Sequence, residues 1–237
     1  MYGDPSRILA TVLLSIGAIV GSGCSGPSPA GRLAFWPFNR GGSDVVPGVT
    51  SPAERIAVLR KMGKKAAWAK SEERERISSE LAGAFRDEPD PLIRLEIVRA
   101  IGEYRTPAAA SVLDAALNDS EPDVRMVACR AWGDRGGPEA AAKLSEALRS
   151  DVDVDVRLTA AQALGETADR NAVAALGEAL EDRDPAMQYQ AVQSLRNVTG
   201  EDLGSDVNQW RHYVKGEPPD PAEPVSVAQR IRRLFYD

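Results

Sequence analysis

The sequence predicts an all-α solenoid, a stack of antiparallel helix pairs, and three observations carry the prediction. First, the rows PLIRLEIVRAIGEYRTPAAASVLDAALND, PDVRMVACRAWGDRGGPEAAAKLSEALRSD and VDVRLTAAQALGETADRNAVAALGEALEDRD share one register, and PAMQYQAVQSLRNVTG begins a fourth. Arg94, Arg125, Arg157 and Gln188 recur at intervals of 31 or 32 residues, as do Gly102, Gly133 and Gly165, and Leu117, Leu148 and Leu180. A fixed period in this range marks units that each bury one face against the next. Second, each row reads as two helices. Pro or Asp starts the first, the glycine ends it, Pro or Asn opens the second and Asp closes the unit, so each stands where a helix terminus favours it. Third, period-two alternation of β-branched residues is nowhere sustained, so strands are not expected.

Composition narrows the function. The chain has 237 residues, a formal net charge of −6, two cysteines and one histidine. An acidic balance argues against nucleic acid as a partner, since binding its phosphates requires clustered Lys and Arg. Cys24 and Cys129 cannot build a disulfide framework or a four-thiolate zinc site, and His212 alone excludes multi-histidine metal centres. Neither a catalytic residue nor a cofactor is expected.

Taken in chain order, residues 1–23 read as an export signal. Residues 8–20 carry no charge, and such a run spans about 20 Å as a helix, short of the ~30 Å hydrocarbon core of a bilayer. Small residues then lead directly into Cys24 as GSGC. This resembles the lipobox of bacterial lipoproteins, and the resemblance implies lipidation of Cys24 as the first mature residue. Ordinary signal cleavage and a short uncleaved anchor are the other readings. The overlapping GSGCSG matches a dinucleotide-binding glycine pattern, but it lacks the strand before it and the helix after it.

Residues 24–51 are rich in Gly, Pro and Ser, the composition of a flexible tether. Phe35, Trp36 and Phe38 interrupt it; they lie at a bilayer interface, dock on the folded domain or have no role. The solenoid is expected over 52–200, opened by a degenerate pair at 52–70 and 71–86 in which Phe85 holds the Leu117 position. A capping segment follows at 201–216: Gly200 and Gly204 turn the chain, Asp206 starts a short helix and Trp210 offers an apolar cap. Residues 217–237 read as a linker and a separate amphipathic helix. Its face of Val227, Ile231, Leu234 and Phe235 either folds back as a cap or docks on a partner.

The rows resemble HEAT-like repeats, in the short bacterial form also found in phycobilisome lyase subunits. The likeness is strongest at 123–151 and 155–182 and extends over roughly 71–199. It implies a right-handed superhelix in which the Arg-bearing helix of each pair lines the inner curve.

On those helices, counting from Arg94, Arg125, Arg157 or Gln188, offsets −1, +3 and +7 form one apolar face. It comprises Ile93, Ile97 and Ile101; Val124, Ala128 and Trp132; Val156, Ala160 and Leu164; and Met187, Ala191 and Leu195. Offsets +1 and +5 point away from it. They read Leu95, Met126, Leu158 and Tyr189 beside Arg99, Arg130, Gln162 and Gln193. An apolar ridge beside a row grading from basic to amide is expected on the concave surface as a groove for a protein or peptide. The alternatives are that neighbouring helices shield the ridge, or that the aromatic tether or the last helix covers it.

Arg94, Arg125 and Arg157 read as structural, each with an acid within a turn, Asp123 beside Arg125 and Asp155 beside Arg157, and a ladder of ion pairs between neighbouring repeats is the accompanying expectation. Cys129 holds an alanine position and is expected to pack as a small apolar group. DVDVD at 151–155 lacks the glycine and glutamate of a calcium loop and reads as an inter-repeat turn. Arg55, Arg60, Lys61, Lys64 and Lys65, with Lys70, form a basic helix that either contacts anionic lipid or is simply a solvated face. The sequence therefore points to a non-catalytic scaffold or adaptor, lipid-anchored in the bacterial cell envelope and facing the periplasm or exterior. An accessory subunit of a lyase-like enzyme and a membrane-surface structural protein are the alternatives.

Overall fold

A computed structural model of the chain describes residues 51–218. The expectations for the signal, Cys24, the tether with its aromatic patch, and the C-terminal helix lie outside them. The chain divides into two compact units, Met1–Val58 and Leu59–Asp237. Of the first, the described part is the start of a helix, where Ser51 and Glu54 cap each other: Ser51 N donates to the Glu54 carboxylate at 2.9 Å and Glu54 N to Ser51 Oγ at 3.3 Å.

The described residues form ten helices. They are α1 Pro52–Lys65, α2 Ser71–Asp87, α3 Pro91–Gly102, α4 Pro107–Ala116, α5 Pro122–Arg135, α6 Gly137–Ser150, α7 Val154–Glu166, α8 Ala172–Ala179, α9 Pro185–Thr199 and α10 Val207–Lys215. Aspartates recur as N-caps. Asp90, Asp184 and Asp206 each accept a backbone N–H at 2.9 Å, and Asp153 accepts from Asp155 N and Val156 N. Each such cap contributes about 1 kcal/mol.

Within the second unit the helices stack as an α-solenoid of two layers, with α3, α5, α7 and α9 in one and α2, α4, α6, α8 and α10 in the other. All twelve residues of the expected apolar face are at most 1% exposed, from Ile93 to Leu195. They meet Leu81, Leu113, Leu144 and Leu176 from the second layer, themselves fully buried. At roughly 1.5–3 kcal/mol for each large aliphatic side chain, this shared interior is the main stabilising term.

Gly102 ends its helix as the rows suggest, but the later glycines do not, and all three have a packing role. Helix α5 runs two residues past Gly133 and α7 one residue past Gly165, so neither residue ends its helix. Both sit instead where the next helix touches. A Cβ on Gly133 would lie 3.0–3.1 Å from Ala163, one on Gly165 2.9 Å from Ser194, and one on Gly102 2.9 Å from the Ala131 Cβ. Gly63 meets Ala100 in the same way. In the other layer the neighbours are bridged by long side chains: Lys143 pairs with Asp114, and Arg149 with Glu178 at 2.6 Å. The α3, α5, α7 and α9 layer is therefore the more closely spaced of the two.

The offset-zero arginines are structural, but their partners are not the acids beside them. Arg94 donates to both oxygens of Asp119 at 2.8 Å. Arg125 does the same to Asp151 at 2.7 and 3.0 Å. The backbone carbonyls of Asp119 and Asp151 in turn accept from Arg125 and Arg157 at 2.8 and 3.1 Å. Asp123 and Asp155 point into solvent instead, at the first turns of α5 and α7. Burial opposes ionisation of Asp119 and Asp151, yet the guanidinium and backbone N–H donors outweigh it, so both carboxyls titrate below the usual aspartate range. At the fourth row Gln188 keeps only the carbonyl bond, to Asp182 at 2.7 Å.

The stack closes as expected on Trp210, which is fully buried and donates from Nε1 to the Gly204 carbonyl at 2.9 Å. Gly177 on α8 admits Val214 of α10, and Arg211 donates to the Leu180 carbonyl at 2.6 Å.

Candidate functional site

The layer of α3, α5, α7 and α9 leaves one stripe uncovered. Its flanks, such as Ala100, Ala131, Ala163 and Ser194, are buried against neighbouring helices, and offsets +1 and +5 face away from the core. Arg99, Arg130 and Gln162 are exposed and Gln193 is half-buried, so the basic-to-amide row runs along the surface. The apolar column is shallower. Leu95, Met126 and Leu158 are half-buried and only Tyr189 stands out, at 61% exposure. Close stacking through the glycines accounts for the partial shielding, because helices at near-contact distance cover part of each other's flanks.

At the α1 end the stripe deepens into a cavity of about 840 Å³ within the second unit. Arg60 and Lys64 of α1, Arg74 of α2, Arg99 of α3 and Arg105 of the following turn line it, with Trp68 at the rim. Trp68 is 69% exposed. Two carboxylates accompany these cations, Glu96 and Glu103. Glu96 is buried and receives Arg60 at 3.0 and 3.2 Å as well as Arg99. The hydrogen bond from Arg60, with Arg99 nearby, holds its carboxyl below the usual glutamate range. One negative charge therefore answers two guanidiniums. Arg74 leaves its buried Nε without a hydrogen-bond partner among the described residues, and Arg105 donates to the Asp134 carbonyl at 2.6 Å.

The basic residues of α1 differ in their partners. Arg60 turns to Glu96 and Lys65 pairs with Glu73 at 2.6 Å, while Lys61, Lys64 and Lys70 are exposed. Cys129 is fully buried, and burial pushes its thiol up to about 12. His212 lies on α10 with its Nδ1 2.9 Å from Glu217. In the 151–155 turn, Asp151 holds Arg125 and Asp153 caps α7, which accounts for two of its three acids without a cation.

Sequence reasoning singled out Arg99 as a groove residue and Arg60 and Lys64 only as lipid-facing or solvated charges, and it missed Trp68, Arg74, Glu96, Glu103 and Arg105. Two local signals existed: a lone tryptophan in the alanine-rich AAWAKS stretch, and an acid at Glu96 where the other rows carry Val127, Thr159 and Gln190.

The sequence family described as HEAT repeats matches residues 78–156 and 142–206, together more than half of the chain. No curated protein sequence matches it. Among solved structures, human deoxyhypusine hydroxylase in complex with glycerol is similar with a TM-score of 0.48 and 25% identity, over 52% of this chain and 44% of that one. The chain thus spans less than half the length of that relative. A designed armadillo repeat protein in complex with a (KR)4 peptide is similar with a TM-score of 0.44 and 20% identity, over 69% of this chain and 82% of that one.

Proposed function

We propose, from the premise that this chain belongs to the HEAT repeat family, that it is a non-catalytic scaffold whose inner face holds a segment of a partner protein. One observation carries the reading: helices α3, α5, α7 and α9 present the same two offsets side by side, so residues from four repeats form one surface with a cavity at its end. Repeat arrays bind through surfaces of this kind, because no single repeat offers enough area. Leu95, Met126 and Leu158 form its floor, Tyr189 its raised end, and Arg99, Arg130, Gln162 and Gln193 its polar edge.

The scaffold is tethered, in this reading, to the bacterial cell envelope through a lipid on Cys24, with residues 24–51 as the leash. The uncharged stretch at 8–20 and the small residues before Cys24 support it. Mass spectrometry of the membrane fraction should find an acylated Cys24, and Cys24→Ala should release the chain; an unmodified Cys24 overturns the anchoring.

The binding reading is tested by crosslinked capture from detergent-solubilised envelopes with wild type and an Arg130→Glu/Tyr189→Asp variant. Both sites are exposed, so the fold is expected to persist. Loss of a specific crosslinked protein with an unchanged melting curve supports the scaffold; unchanged capture refutes it.

A further inference from the structure

We infer that the cavity at the α1 end receives an acidic segment of the partner protein, one that sets carboxylates beside an aromatic or aliphatic side chain. The inference rests on the scaffold reading and adds the chemistry of what is bound.

Charge complementarity is the first argument. The chain as a whole is acidic, with net charge −6, yet this concavity gathers four arginines and Lys64 against Glu96 and Glu103. The local sign is therefore inverted relative to the molecule. Arg60 and Arg99 share the single carboxylate of Glu96, which fixes two guanidiniums while cancelling one charge. Guanidinium is the side chain best shaped for bidentate carboxylate binding.

Two further features lack an internal explanation. The buried Nε of Arg74 has no acceptor among the described residues, and a buried donor without an acceptor is destabilising unless a ligand supplies one. Trp68 exposes most of its ring at the rim, where a stacked apolar side chain would cover it.

The face beyond the cavity sets a direction. Arg99 and Arg130 give way to Gln162, Gln193 and Tyr189, so the acidic end of the segment lies against α1 and α3 and its neutral end against α9. A nucleic-acid backbone would require basic groups along the whole track, and the amides interrupt it.

Random twelve-residue peptides displayed against the full chain test the inference. Selected peptides should carry net negative charge with an aromatic residue. Their binding should weaken about tenfold with raised salt and with Lys64→Glu, and should also weaken with Trp68→Ala, at an unchanged melting temperature. Neutral or basic peptides that are lost in Arg130→Glu/Tyr189→Asp would overturn the acidic partner and leave the scaffold standing. Peptides indifferent to every inner-face substitution, or no enrichment, would overturn both. Preference for a single-stranded oligonucleotide over the selected peptides would replace the acidic segment with nucleic acid.

Discussion

Arg125 at the first turn of α5 holds both carboxylate oxygens of Asp151 at the end of α6, while the Asp151 carbonyl accepts from Arg157 of the next repeat. Asp119 does the same between Arg94 and Arg125, so at these two junctions one residue ties its own helix pair shut and seats the pair that follows. The side chains of Arg125 and Asp151 are 11% and 8% exposed, so the pair is held largely out of water.

Removing one partner leaves the other charge poorly solvated. Arg125→Ala should lower stability by about 2 kcal/mol, between the ~1 kcal/mol of exposed pairs and the 3–5 kcal/mol of fully buried ones. The midpoint of urea denaturation measures it. Gln188→Arg, which restores the row's arginine at the Asp182 backbone carbonyl, should be neutral or stabilise by up to about 1 kcal/mol.

The same carboxylates predict an acid dependence. Asp119 and Asp151 have folded-state pKa values below their unfolded ones, so in acid the unfolded chain binds more protons than the folded one. Their contribution is complete above the unfolded aspartate pKa of about 3.9 and is lost as pH falls through the lower folded values. Stability measured from pH 7 downward should stay level for these groups and then drop below about pH 4. An Arg94→Ala/Arg125→Ala chain should start lower and show a shallower drop.

Glycine-to-alanine substitution separates propensity from packing. In an exposed helix interior the change gains up to about 1 kcal/mol, and Gly83, where an added Cβ would meet nothing within 4 Å, should follow that rule. At Gly165 the methyl would meet Ser194 at 2.9 Å, its Cα included, and overpacking should cost about 1–3 kcal/mol. Thermal melts of Gly83→Ala and Gly165→Ala should therefore shift in opposite directions.

Cys129 should be chemically silent while the chain is folded. Burial raises its thiol to about 12, and only the thiolate is nucleophilic. In a Cys24→Ala background, alkylation by iodoacetamide at neutral pH should proceed only as the protein unfolds; rapid labelling of the native chain would show that α5 opens locally.

Helix pairs, the buried columns and the Trp210 cap were legible because they follow from patterns within some thirty residues: a 3.6-residue apolar repeat, proline and acid at helix starts, a fixed row length. The inner stripe was legible for the same reason, since offset alone sets which way a side chain leaves its helix. What the row pattern could not supply was distance across the stack. Whether Leu158 is covered, why Gly165 recurs and which acid Arg125 meets all depend on how near a helix some thirty residues away comes to rest. The α1-end cavity is the extreme case: Arg60, Trp68, Arg74, Arg99 and Arg105 come from separate segments, and only the packing of those segments brings their charges to one place.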